Sequence, residues 1–147
     1  VWVIMLPVTV WFGAPGPPRV RMAIGGGVWL AGLAVETIAD IQKFRQKRDA
    51  AGVGRWMSSG LWRYSRHPNY FGELLCWWGI FLFVASDLKG LAWLSVLGPI
   101  TITLLLLYVT GIPTLETTAE KKWGCEADYL KYKRSTNVLV PWPPRLN

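Results

Sequence analysis

The stretch from Gly90 to Pro113, GLAWLSVLGPITITLLLLYVTGIP, contains no charged side chain. At about 1.5 Å per residue a helix over this run is longer than the hydrocarbon core of a bilayer is thick, about 30 Å. Such a run has few options in water. It is read as a membrane span, and Pro99 is placed to kink it. Other apolar runs repeat the pattern. Residues 1–13 read as the end of a spanning helix, followed by a loop at GAPGPPR. Met22–Ala39 holds one charge, Glu36, and nearly spans. Phe71–Ser86 is a further span, lengthened if the helix starts at Pro68. The expected fold is all-α: a bundle of about four transmembrane helices, a single membrane domain over residues 1–147. A helix over Glu116–Arg134 reads as amphipathic and cytosolic, and VLVPWPPR reads as an extended tail.

Composition agrees. Of 147 residues 52% are hydrophobic, 10 are Trp, and the net charge is +7. A soluble domain of this size rarely combines so much Trp with so little charge. Val1 begins inside an apolar stretch with no signal-peptide pattern, which points to a longer protein with an N-terminal part upstream. Cys76 and Cys125 match no metal or disulfide spacing and are read as free thiols. No metal site and no nucleic-acid partner are expected.

Charge gives the orientation. Between Asp40 and Arg66 seven Lys or Arg face two Asp; after Pro113 six face four acids. The positive-inside rule places the 40–66 loop and the C-terminus in the cytosol and the DLK turn at 87–89 outside, so that 71–86 and 90–113 form a hairpin. Arg19 and Arg21 then lie outside, against the rule. The expectation is a multi-pass integral protein, of the cytoplasmic membrane in a bacterium. Trp56, Trp62, Trp123 and Trp142 read as interfacial anchors.

At the cytosolic lip the sequence GLWRYSRHPNYFGE stands out. Asn69 and Glu73 are one turn apart at the start of one span, and Glu36 and Asp40 one turn apart at the end of another. Acids at the edge of a span are costly, so they should face a polar cavity. Pro68 suits a first helical turn. The free N–H groups there, preceded by Arg66 and His67, suit an anion such as phosphate. Lys43, Lys47, Arg48, Arg55 and Arg63 add positive charge, and Tyr129, Tyr132, Lys133 and Arg134 could close the site from the C-terminal helix. Acids for hydroxyl and amide donors beside bases for phosphates match the needs of a dinucleotide.

ADIQKFRQKRD, GLWRYSRHPNYFGELLCWWG and YLKYKRSTNVLVPWPP together resemble a bacterial membrane-protein family of unknown function related to the C-terminal half of steroid 5-alpha-reductases. The likeness runs from about Leu30 onward. RHPNY, Arg66 to Tyr70, is shared with a wider superfamily that includes isoprenylcysteine carboxyl methyltransferases and phospholipid methyltransferases, which use S-adenosylmethionine, and sterol reductases, which use NADPH. The resemblance implies NADPH held between spanning helices, with Glu36, Asp40, Lys47, Arg55, Asn69 and Glu73 as cofactor positions. Glu36 stands where the reductases usually carry Asn, and Lys47 where they tend to carry Arg. Their histidine and tyrosine early in the last helix have no clear match, although Lys121 and Cys125 lie near that place. With Arg66, His67, Tyr70 and Tyr132 these residues form the expected cofactor site. The catalytic residues are expected upstream, in the N-terminal half. The activity implied is reduction by NADPH of a C=C bond in a lipophilic, steroid-like or polyprenyl-like enone. The alternatives are an S-adenosylmethionine-dependent methyltransferase of a lipid or prenyl group, and a non-catalytic membrane module that binds lipid.

Overall fold

The computed structural model describes residues 1–13, 20–48, 54–85 and 88–145. The expected loop at GAPGPPR, with Arg19, lies at 14–19, outside the described residues; so do 49–53 of the second loop and the start of the DLK turn at 86–87. The described chain is mostly helical: α1 (Leu6–Gly13), α2 (Val20–Arg48), α3 (Pro68–Ala85), α4 (Leu97–Leu104), α5 (Ile112–Trp123) and α6 (Ala127–Ser135). Among the described residues there is no strand, only one isolated parallel bridge between Ser65 and Asn137.

Helix α2 continues unbroken through the basic DIQKFRQKR segment to Arg48, well beyond Ala39. Helix α3 begins at Pro68, whose missing N–H costs nothing in a first turn. The two run antiparallel and touch backbone to backbone. A Cβ at Gly25 would run into Phe83 N, and one at Gly32 would stand 2.7 Å from Gly72 O. Small residues that let backbones approach are how helices associate where lipid removes the hydrophobic drive between them.

The uncharged run after Lys89 is helical throughout but changes pitch. Gly90–Val96 is 3-10, α4 follows, and Leu105–Val109 is π-helical before a break at Gly111. Pro99 lies in the first turn of α4, just after the 3-10 segment ends. This run folds back along α3: Phe81 meets Trp93 near the turn, and Trp78 Nε1 donates to Thr103 Oγ1 at 3.2 Å farther from it. Two helical stretches, Ala23–Arg48 and Gly90–Trp123, are long and apolar enough to cross a membrane. Leu30, Ile38, Leu91, Leu94, Leu104 and Tyr108 are exposed on them, an outward apolar surface that water would not favour.

The single amphipathic helix expected over 116–134 is two helices, broken at Gly124–Glu126. Gly124 N bonds back to Glu120 O at 2.8 Å, and a Cβ there would run into that same oxygen. Glycine is also a poor helix interior residue. The break lets α6 fold back so that Lys133 Nζ reaches Glu120 Oε2 at 3.0 Å.

Candidate functional site

The C-terminal half of α2 organises the site. Gln46 Nε2 donates to Trp56 O at 3.1 Å, and Gln42 Oε1 accepts from Leu61 N at 3.0 Å, so two amides fasten the loop along the helix. Gly60 makes this possible. Its φ is +60°, and a Cβ would meet the Gln42 amide at 2.5 Å. Trp62 is 5% exposed and its indole donates to Ala39 O at 3.0 Å.

The tail then returns over this loop. Arg66 N donates to Asn137 O at 2.8 Å, Ser65 Oγ to Leu139 O at 2.7 Å, and Trp142 N to Tyr64 O at 3.1 Å. Tyr132 Oη donates to Trp62 O at 2.7 Å. Burial, opposed by the Arg66 charge, pushes the Tyr132 phenol above its ordinary pKa range, so it stays a neutral donor.

Between α2, this loop, α5 and α6 lies a cavity of about 280 Å³. Among the described residues, Lys43, Lys47, Arg55 and Arg66 give it four cations and Glu116 one carboxylate. Trp56, Trp62, Trp123, Tyr129 and Tyr132 form aromatic walls. Trp56, Trp123 and Tyr129 pack on one another with ring centroids 5.4 to 6.2 Å apart. Lys43 Nζ lies 5.1 Å from the centre of the Trp62 ring.

Glu116 is the hub. Its Oε1 is 2.8 Å from His67 Nε2, its Oε2 is 2.8 Å from Arg66 Nη1, and Lys133 Nζ stands 3.9 Å away. His67 is 6% exposed and stacks on Tyr70 at 5.8 Å. The Arg66–Glu116 contact is an ion pair by distance. Even so, neither Nη1 nor Nε of Arg66 completes a hydrogen bond, and both are buried.

The ten sequence-predicted residues therefore divide. Lys47, Arg55, Arg66, His67 and Tyr132 line the cavity. Glu36 and Asp40 do not; they line a separate open groove on α2 with Phe44, Arg45 and Arg48. Lys43 and Lys47 continue the Glu36–Asp40 stripe along α2, near enough for the Asp40 charge to act on Lys43, but the cavity takes in this helix only from Lys43 onward, so the acids lie outside its wall. Glu73 lies close enough to Glu36 for their charges to act on one another and accepts a bond from Trp77. Asn69 Oδ1 is buried without a partner. Lys133 faces Glu116, whereas Arg134 is exposed and bonds only its own helix at Leu130 O. Cys76 and Cys125 are free thiols.

Sequence reasoning missed Glu116. Its signal was a lone acid one turn past a long uncharged run, in a chain whose nearby motifs are basic. Trp56, Trp62 and Trp123, expected as interfacial anchors, wall the cavity. Trp142, 67% exposed, keeps a surface position.

Fold and site together define a helical protein with two membrane-length helices and a cationic, indole-walled cavity where the longest helix ends. The chain belongs to the family described as a protein of unknown function, DUF1295, whose pattern matches residues 1–136. It is 39% identical over 61 residues to Uncharacterized protein C594.04c of Schizosaccharomyces pombe, a match over 37% of this chain and 18% of that protein. The chain thus spans less than a fifth of the curated relative it matches. No solved structure matches.

Proposed function

We propose that the chain is the cofactor-binding part of a multi-pass membrane reductase, similar to the C-terminal half of steroid 5-alpha-reductases, that uses NADPH to reduce the C=C bond of a lipophilic enone. The observation that carries this reading is the guanidinium of Arg66 at the cavity, ion-paired to Glu116 through Nη1 with its buried Nε left without a partner. Such a donor is where a bound water, ion or ligand would complete the bonding. Three further cations and several aromatic faces share its cavity. Phosphates beside flat rings suit that lining, and Arg is the better phosphate ligand for its bidentate fork.

Size limits what enters. About 280 Å³ lies at the lower edge of small-molecule sites, about 300–1,000 Å³, enough for part of a dinucleotide. The remainder would extend toward Asn69, Glu73 and the groove of Glu36 and Asp40, whose acceptors suit hydroxyl and amide donors. Bound there, the nicotinamide supplies hydride. The chain's own part is to hold phosphate at Arg66, Lys47 and Arg55, to cover rings with Trp56 and Trp123, and to exclude water with α6 and the tail. The proton donor and the enone pocket are assigned to residues beyond this chain. In this reading four spans cross the membrane and the cavity opens to the cytosol, as the charge asymmetry of the loops suggests.

Titration calorimetry of the detergent-solubilised protein with NADPH, NADH and S-adenosylmethionine tests the proposal. The expected order is NADPH tightest and S-adenosylmethionine weakest. Tight, salt-insensitive binding of S-adenosylmethionine with no NADPH heat overturns it in favour of a methyltransferase. Binding of none of the three favours a non-catalytic module.

A further inference from the structure

We infer that Glu116 is a positioning residue of the basic cavity: its two carboxylate oxygens hold His67 and Arg66 in the arrangement that receives a phosphorylated ligand. The inference rests on the phosphate reading of that cavity and adds a residue to it.

The geometry is a fork. Oε1 takes His67 at 2.8 Å and Oε2 takes Arg66 at 2.8 Å, so one side chain from α5 sets two consecutive residues at the entrance to α3. Both partners are restrained from elsewhere. His67 N donates to Ser65 Oγ at 3.1 Å, and the imidazole lies against Tyr70. Arg66 N is tied to the tail at Asn137 O. What those contacts leave undetermined is which imidazole nitrogen carries a proton and where the guanidinium points. Glu116 decides both. An acceptor 2.8 Å from Nε2 requires the proton on Nε2, and an ion pair through Nη1 leaves the buried Nε without a hydrogen bond.

A carboxylate in a basic anion site looks counterproductive, and this gives the inference its test. If Glu116 were only a counter-charge, removing it would tighten anion binding, because a negative group would leave a positive cavity. If it positions Arg66 and His67, removing it weakens anion binding, because the donors lose their geometry. The two roles predict opposite signs.

The experiment uses the whole chain in detergent, with Glu116→Gln, which keeps the volume and removes the charge, and Glu116→Asp as the conservative variant. NADPH and inorganic pyrophosphate are titrated into each. His67 is the chain's single histidine. Its imidazole therefore gives one set of nitrogen signals in a long-range proton–nitrogen spectrum, read without ligand. We expect Glu116→Gln to weaken both anions about tenfold, equal to about 1.4 kcal/mol. It should also move the His67 signals away from the Nε2-protonated pattern. Glu116→Asp should recover most of both. Unchanged or tighter anion binding in Glu116→Gln, or an unchanged His67 pattern, overturns the inference. Wild-type protein that binds pyrophosphate but not NADPH sinks the reductase reading alone, and the pyrophosphate series then judges Glu116. Wild-type protein that binds neither anion overturns the inference with it.

Discussion

Gly72 of α3 sits so close to Glu36 of α2 that a Cβ on it would stand 2.5 Å from the Glu36 backbone nitrogen. The neighbour is main chain, so nothing there can rotate away. Gly72→Ala must push the helices apart or bend one. Overpacking of this kind costs about 1–3 kcal/mol. Gly27, on the same α2, has nothing within 4 Å of its would-be Cβ. Gly27→Ala should leave stability unchanged or raise it by up to about 1 kcal/mol through helix propensity. Thermal melts of the two variants in one detergent check this. Equal melting temperatures would show that the helices do not meet at Gly72.

Arg55 lies on the cavity wall, exposed enough to reach a ligand. Arg55→Ala should weaken NADPH about tenfold and leave NADH nearly unaltered, since one charge-assisted bond to the 2′-phosphate is worth roughly 1.5–3 kcal/mol before screening. Raising the salt should shrink the NADPH preference, because charges near the surface are screened beyond about 8 Å. Calorimetry at two salt concentrations measures both. Equal losses for both nucleotides would place Arg55 away from that phosphate.

Tyr132 gives a pH dependence of known sign. Burial raises its pKa in the folded state, against about 10 when unfolded. Below pH 10 both states keep the proton and stability does not change. Above it the unfolded chain releases the proton first, so stability falls as pH rises. Tyr132→Phe removes that part of the alkaline loss. At pH 7 it costs about 1 kcal/mol, from the lost bond to Trp62 O. Melting curves of both proteins at pH 7 and pH 11 should therefore draw closer together at the higher pH. A constant gap between them would exclude this role for Tyr132.

Lys89 is exposed just before the uncharged run. With Cys76 and Cys125 replaced by Ser, Lys89→Cys should react with a membrane-impermeant maleimide added from outside intact cells. Reaction only after the cytosolic face is opened would invert the proposed topology.

Helices were legible from the sequence where apolar length decided them: α2, α3 and the run after Lys89 all appear where hydropathy puts them. Pitch was not. The run packs on parts of the chain remote in sequence, as where Gly98 meets Ile4 O and Pro7, and hydropathy carries no record of such contacts. The site was half legible. Arg66, His67 and Lys47 announced themselves as a motif and a charge cluster. The split between the cavity and the Glu36–Asp40 groove did not, because it depends on which face of α2 the returning loop covers. Glu116 is hidden for the same reason: its partners come from the two residues before α3 and from α6, which only the fold brings to it.

The tail that crosses Tyr64–Arg66 is stitched largely through main-chain atoms, Asn137 O to Arg66 N and Trp142 N to Tyr64 O. Peptide groups are the same whatever side chain they carry. Such a seam can be conserved in shape while its residues drift, so substitutions at Val138, Val140 or Trp142, all exposed, should accumulate without loosening it. Ser65 is an exception, because its hydroxyl both donates to Leu139 O and accepts from His67 N. Variation along the tail should be free where it touches by backbone and restricted where a side chain makes the bond, at Ser65 beneath it and at the buried Thr136, whose hydroxyl donates to Arg63 O.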